Sequence, residues 1–122
     1  MTVYLVNHLR LPADMPKPET LEYLENVEST FEPYGGKWLA LDAPVQVLEG
    51  AWPGSVVLME FPGMEEARNW YYSDAYQKIL HLRTGNAIND LLLVEAVGPG
   101  FTSAAWAGGI RTAMAEASGG GS

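Results

Sequence analysis

The sequence contains no cysteine. That excludes a disulfide framework, a thiolate metal site and a cysteine nucleophile, and it is compatible with a reducing cytosol. Basic side chains are scarce as well: seven Lys and Arg stand against fifteen Asp and Glu, for a net charge of −8. The seven are scattered, whereas phosphate binding needs them clustered, so the sequence predicts no nucleic-acid partner and no anionic membrane surface. No apolar run approaches the roughly 20 residues that span a bilayer. The opening Met1–Leu5 lacks the basic segment and small-residue cleavage site of a secretory signal, and a cytoplasmic location is the resulting expectation. Gly35 and Gly36 follow a helical pattern instead of opening one, so they make no phosphate loop. The histidines are His8 and His81. Neither belongs to an HxH or HExxH spacing, so no metal site and no cofactor are expected.

What remains is a chain of 122 residues, 48% hydrophobic and 18% charged, which fits one soluble domain. Its most informative stretch runs from Gly36 to Phe61, GKWLALDAPVQVLEGAWPGSVVLMEF. It reads as strand, turn, strand, with apolar residues on both faces of the strands. A sheet that is apolar on both sides needs cover on both sides. A chain this short supplies one covering layer, so the second is expected from another copy.

Around that centre the periodicities predict the other elements. Thr2–Leu11 alternates as a strand. Three prolines between Pro12 and Pro18 break it and lead into a helix over Glu19–Tyr34, with Leu21, Leu24, Val27 and Phe31 inward and Glu22, Glu25 and Glu28 outward. Lys37–Leu41 and Val45–Gly50 read as two pieces of an edge strand bent at Asp42-Ala43-Pro44. Trp52-Pro53-Gly54 is a turn and Ser55–Phe61 a strand. Gly63 opens a short helix, and Ser73 caps another whose inner face is Tyr76, Ile79, Leu80 and Leu82. Asp90–Val97 is the last strand. The order β-α-β-β-α-α-β predicts an α+β fold of the ferredoxin-like kind, a four-stranded antiparallel sheet with helices on one face. Two such sheets meeting face to face make a dimeric α/β barrel. The domain is expected to occupy residues 1–97. Residues 98–122 form a Gly/Ala-rich tail, helical along Trp106, Ile110 and Met114 only where it docks, since Gly108 and Gly109 each cost about 1 kcal/mol. Ser118–Ser122, SGGGS, reads as a flexible natural tail or an added linker.

Several side chains are candidates for chemistry. Glu60 shares a strand face with Val56 and Leu58. A carboxylate there is a proton-transfer group with a raised pKa, or a strand-end acid that meets solvent or an arginine; the nearby Pro62 favours the second. His8 is a proton shuttle or a structural strand histidine. Glu60 and His8 are the catalytic candidates. Tyr34, Trp38, Trp70 and Tyr76 either line an apolar pocket for a planar ligand or belong to core and interface. Arg83 suits a ligand carboxylate or a helix C-terminus. Glu95 is a further ligand candidate, or an exposed strand end.

The segments EPYGGKWL, VQVLEGAWPGSVVLMEFP, ARNWYYSDAYQKILHLR and LLLVEAVGPGF resemble the bacterial family known as domain of unknown function 1330, within the dimeric α/β-barrel superfamily. The resemblance covers about residues 2–100. It implies the ferredoxin-like fold and a homodimer, and it carries over no catalytic residues, because the family has no established activity. The leading functional expectation is a protein that binds a small organic ligand within the dimeric barrel, with cofactor-free catalysis through Glu60 or His8 as an extension. A cofactor-independent monooxygenase of an aromatic substrate and a non-catalytic dimeric interaction module are the alternatives. A buried Glu60 facing an enclosed pocket favours the first two, and a pocket filled by Trp and Leu side chains favours the third.

Overall fold

Every second residue of the first strand turns inward, and that alternation sets the layer structure. β1 (Val3–Arg10) buries Val3, Leu5 and Asn7, while Tyr4, Val6 and His8 look the other way. The computed structural model describes residues 1–11 and 17–119. Pro12 and Pro16 of the predicted breaker, and the last three residues of the SGGGS tail, lie outside the described residues.

The elements follow the predicted order: β1, α1 (Pro18–Phe31), a 3₁₀ turn (Glu32–Tyr34), β2 (Lys37–Ala43), β3 (Ser55–Phe61), α2 (Met64–Tyr71), α3 (Asp74–Thr84) and β4 (Ile88–Glu95). The strands make one sheet in the order β2-β3-β1-β4, and every neighbouring pair is antiparallel. This is the ferredoxin-like α+β arrangement, with β1 and β3 at the centre.

The inward rows of the sheet follow from the register. Trp38, Met59, Leu5 and Leu93 stand abreast across four strands, as do Val57, Asn7 and Leu91 across three. The helices pack on this face around Trp70. Its ring stacks on Phe61 with centroids 5.3 Å apart, lies 4.2 Å from Tyr76, and its Nε1 donates to Thr30 Oγ1 at 3.0 Å. Ser73 caps α3 as expected, its Oγ accepting from the Tyr76 amide at 3.2 Å. The opposite sheet face carries a second apolar row, Ala40, Leu58, Val6 and Leu92. Among the described residues no helix covers it, and Leu92 is 55% exposed.

The structure corrects four of these readings. Val45–Gly50 is not a strand piece. β2 bulges between Trp38 and Ala40 and again before Ala43, Asp42 takes a left-handed φ of 47°, and Pro44 then has no amide to give a ladder. In α1 the buried face is Tyr23, Val27, Thr30 and Phe31. Leu21 and Leu24 lie off that face and overhang a cavity. β4 begins at Ile88, two residues earlier than the pattern suggests, because its pairing with β1 already starts at Ile88↔Arg10. The tail forms a helix, α4 (Ser103–Gly119), in which no residue is buried. Its first turn is capped by Thr102, whose Oγ1 accepts from the Ala105 amide at 3.1 Å.

The turn before β3 is held by close approach. Gly54 has a φ of +94°, and a Cβ there would sit 2.2 Å from the Leu9 carbonyl oxygen. The same turn brings the Pro53 carbonyl within 2.6 Å of His8 Nε2 and stacks Trp52 on the His8 ring at 4.1 Å.

Candidate functional site

Between the sheet and the helical layer lies a cavity of about 230 Å³. Its floor is the inward face of the sheet: Asn7 and Leu9 from β1, Val57 and Met59 from β3, and Leu91 from β4. Its roof comes from Tyr23 and Leu24 of α1 and from Tyr76 and Arg83 of α3, with Trp70 and Trp38 closing the aromatic side. The cavity opens toward the end of the sheet where β1 and β2 finish, past Leu11, Leu21 and Leu41, all partly exposed.

The roof is polar in one place. Arg83 Nε donates to Tyr76 Oη at 3.2 Å, and Tyr76 Oη and Tyr23 Oη share a buried hydrogen bond of 2.9 Å. Helical spacing explains the meeting: Tyr76 and Arg83 are seven residues apart on α3, two turns along one face. α1 lies alongside and delivers Tyr23. Among the described residues the ion pair present is Arg10 with Asp90, on the opposite sheet face. Arg83 thus has phenolic oxygens for partners and no carboxylate. Two hydroxyls joined by one hydrogen bond leave one O–H over, so this wall offers guanidinium N–H groups and a spare phenolic hydrogen.

Burial, then the neighbouring Tyr76, push the Tyr23 phenol far above its ordinary value, and Arg83 pulls back only in part. Tyr23 is therefore a neutral donor at physiological pH and not a base. Burial works to lower the Arg83 guanidinium, but Tyr76 and Tyr23 together outweigh it and its pKa is raised.

The floor contributes Asn7, buried at 3% exposure. Its Nδ2 donates to Asn89 Oδ1 at 2.8 Å, while Asn89 Nδ2 donates to the Ala87 carbonyl at 3.2 Å.

Of the residues singled out from the sequence, Trp38, Trp70, Tyr76 and Arg83 converge on the cavity. Tyr34 packs against the far end of the core, at the 3₁₀ turn. Glu95 is exposed at the end of β4, opposite Val3. Glu60 and His8 share the sheet face turned away from the cavity, and four residues of β1 separate their rows: Glu60 faces Tyr4 and Lys37, His8 faces Val56 and Asp90. At about 3.4 Å per residue they stand about 14 Å apart along the strand. Neither Arg83 nor His8 is placed to pair with Glu60. Asn7 and Tyr23 were not anticipated. The signal for Asn7 was present, a polar side chain in the inward series Val3, Leu5, Asn7, Leu9. Tyr23 was hidden by choosing Leu21 and Leu24 as the helix stripe. Among the described residues no three His, Asp or Glu side chains converge on one point, and no helix is long and apolar enough to cross a membrane.

A four-stranded antiparallel sheet roofed by helices over a ligand-sized cavity places the chain among the ferredoxin-like α+β proteins. Within them it belongs to the family described as domain of unknown function 1330 (DUF1330), whose model matches residues 2–97. No curated protein matches the chain significantly. Among solved structures it is similar to RPA0582 of Rhodopseudomonas palustris, a protein of unknown function (19% identity, TM-score 0.61, covering 80% of this chain and 84% of that one). It is also similar to SnoaB, a cofactor-independent oxygenase from Streptomyces nogalater (10% identity, TM-score 0.56, covering 83% and 98%). A further likeness is to At3g17210 of Arabidopsis thaliana (13% identity, TM-score 0.51, covering 84% and 99%). At these identities the likeness is one of fold.

Proposed function

We propose that the chain binds a small aromatic molecule bearing an acidic oxygen, in the cavity between sheet and helices, and that two copies joined through their uncovered sheet faces form the working unit. The observation that carries the ligand reading is Arg83, a permanently charged guanidinium on the wall of an apolar cavity, with phenols as partners and, among the described residues, no acid. A charge so placed is stabilised by an anion that the described residues do not supply. Trp38 and Trp70 offer the flat apolar walls an aromatic ring prefers. The volume suits one ring with substituents, since about 150 Å³ already holds benzene.

An open cavity weighs against a pure interaction module. The neutral Tyr23 weighs against an oxygenase that would take a proton from its substrate here, because such chemistry needs a base. Asp42 is the carboxylate at the cavity margin, and it already accepts from Ser55 Oγ at 2.5 Å.

Tryptophan fluorescence reports on the site directly, through Trp38 and Trp70. Titration with benzoate should give a saturable change, and its neutral isostere benzamide should bind roughly 10- to 100-fold more weakly, the value of charge-assisted hydrogen bonds. Arg83→Gln should remove that preference. Equal binding of the two probes by the wild-type protein would overturn the reading.

A further inference from the structure

The orientation of the Asn7 amide is fixed by a chain of partners. Asn89 Nδ2 donates to the Ala87 carbonyl, which can only accept. Asn89 Oδ1 therefore faces Asn7, and Asn7 must present its Nδ2 to it, at 2.8 Å. Reversing Asn7 would set two oxygens against each other, and reversing both amides would set Asn89 Oδ1 against a carbonyl oxygen. The atom left over is Asn7 Oδ1, buried and without a hydrogen-bond partner.

A buried carbonyl oxygen without a donor is destabilising, and such groups are rare in folded proteins. This one belongs to a residue that lines the cavity floor. The two polar walls are complementary in kind: the α1/α3 roof offers hydrogens from Arg83 and a phenol, and the β1 floor offers a lone pair. Met59, Val57, Leu91 and Trp70 supply apolar surface to the same cavity.

We infer that Asn7 Oδ1 is a specificity determinant: the ligand carries a hydroxyl or amino hydrogen that Asn7 accepts, in addition to the acidic oxygen held by Arg83. This rests on the ligand reading given above and narrows it from aromatic acids to hydroxy- or amino-substituted aromatic acids. A methyl or methoxy group in the same place would leave Asn7 Oδ1 unserved and remove the water that could serve it.

The three monohydroxybenzoates, their methoxy counterparts and benzoate, titrated against the full chain by tryptophan fluorescence, test the inference. At least one hydroxy isomer should bind about 5- to 100-fold more tightly than both benzoate and its methoxy analogue. In Asn7→Leu, which keeps the branching at Cγ and removes both polar atoms, the preference of the hydroxy isomer over its methoxy analogue should vanish. The wild-type comparison needs no variant, so the inference stays open to refutation even if Asn7→Leu fails to fold. Binding of benzoate with no preference for any hydroxy isomer would overturn the role of Asn7 and leave the anion reading standing. A hydroxy preference that survives Asn7→Leu would assign it to another group and equally overturn the role. Absence of binding by every acid would overturn both.

Discussion

Tyr23 carries its hydroxyl out of water, beside a second phenol and a guanidinium, and that placement makes it a reporter of the site. Its pKa is raised, chiefly by burial and then by Tyr76. A folded-state value above the unfolded one means that the native state holds its proton more tightly. The associated stability is complete below about pH 10, the ordinary tyrosine value, and is lost as the pH rises beyond it. Unfolding free energy should therefore fall by up to about 1.4 kcal/mol per pH unit above pH 10. Tyr23→Phe should flatten that slope, at the price of the 2.9 Å bond to Tyr76. Urea titrations of both proteins between pH 8 and 11.5 measure it. Parallel alkaline slopes would show that Tyr23 ionises as readily folded as unfolded.

At the scale of elements, the β-α-β-β-α-α-β body and the terminal helix differ in what holds them. The buried hydrophobic core runs from Val3 to Leu82, with Leu91 and Leu93 packed against it, and takes nothing from α4. α4 has a capped start and only Arg111 and Glu116 as charged residues, yet Trp106 is 63% and Met114 65% exposed. A helix of 17 residues is near the limit of independent stability, and Gly108 and Gly109 sit in its middle. Its apolar stripe accordingly needs cover from the body or from a second copy. Removal of Phe101 onward should leave a folded, soluble body, with a thermal midpoint within a few degrees of the full chain and lower helical circular dichroism. Insoluble or unfolded product would show that α4 is part of the core. The register of the body was legible because a strand has period two and a helix 3.6: Val3/Leu5 against Tyr4/Val6 set the layers before any contact was known. Of the α1 stripe, Val27 and Phe31 are buried as expected, whereas Leu21 and Leu24 are exposed and Tyr23 and Thr30 are buried; the meeting of two tyrosines across α1 and α3 has no sequence signature.

At the scale of the whole molecule, the described residues cover one sheet face and leave the other uncovered. Val6, Leu58 and Leu92 form an apolar row on the uncovered side, bounded by Glu60 and Lys37 in one neighbouring row and by His8 and Asp90 in the other. Such a face is expected to meet its own copy, which buries the row and leaves charged flanks near the rim. Sedimentation at micromolar concentration should give about twice the 13.3 kDa chain mass. Leu58→Arg should shift it toward the single-chain value while the cavity on the other face still binds benzoate. A wild-type protein that sediments as a single chain would refute the pairing.

The sequence alone determined the class of fold, the order of elements, the Ser73 cap and the presence of two apolar sheet faces, because each is written in local periodicity and turn chemistry. It also placed Trp38, Trp70, Tyr76 and Arg83 among the ligand candidates. Which candidates meet was decided only by the tertiary structure. The parity of β1 and β3 sends His8 and Glu60 to one side of the sheet and Asn7 to the other, and the packing of α1 on α3 brings Tyr23 to Tyr76 across 53 residues of chain. Convergence of this kind depends on how distant elements pack in space, and no local pattern in the chain encodes it.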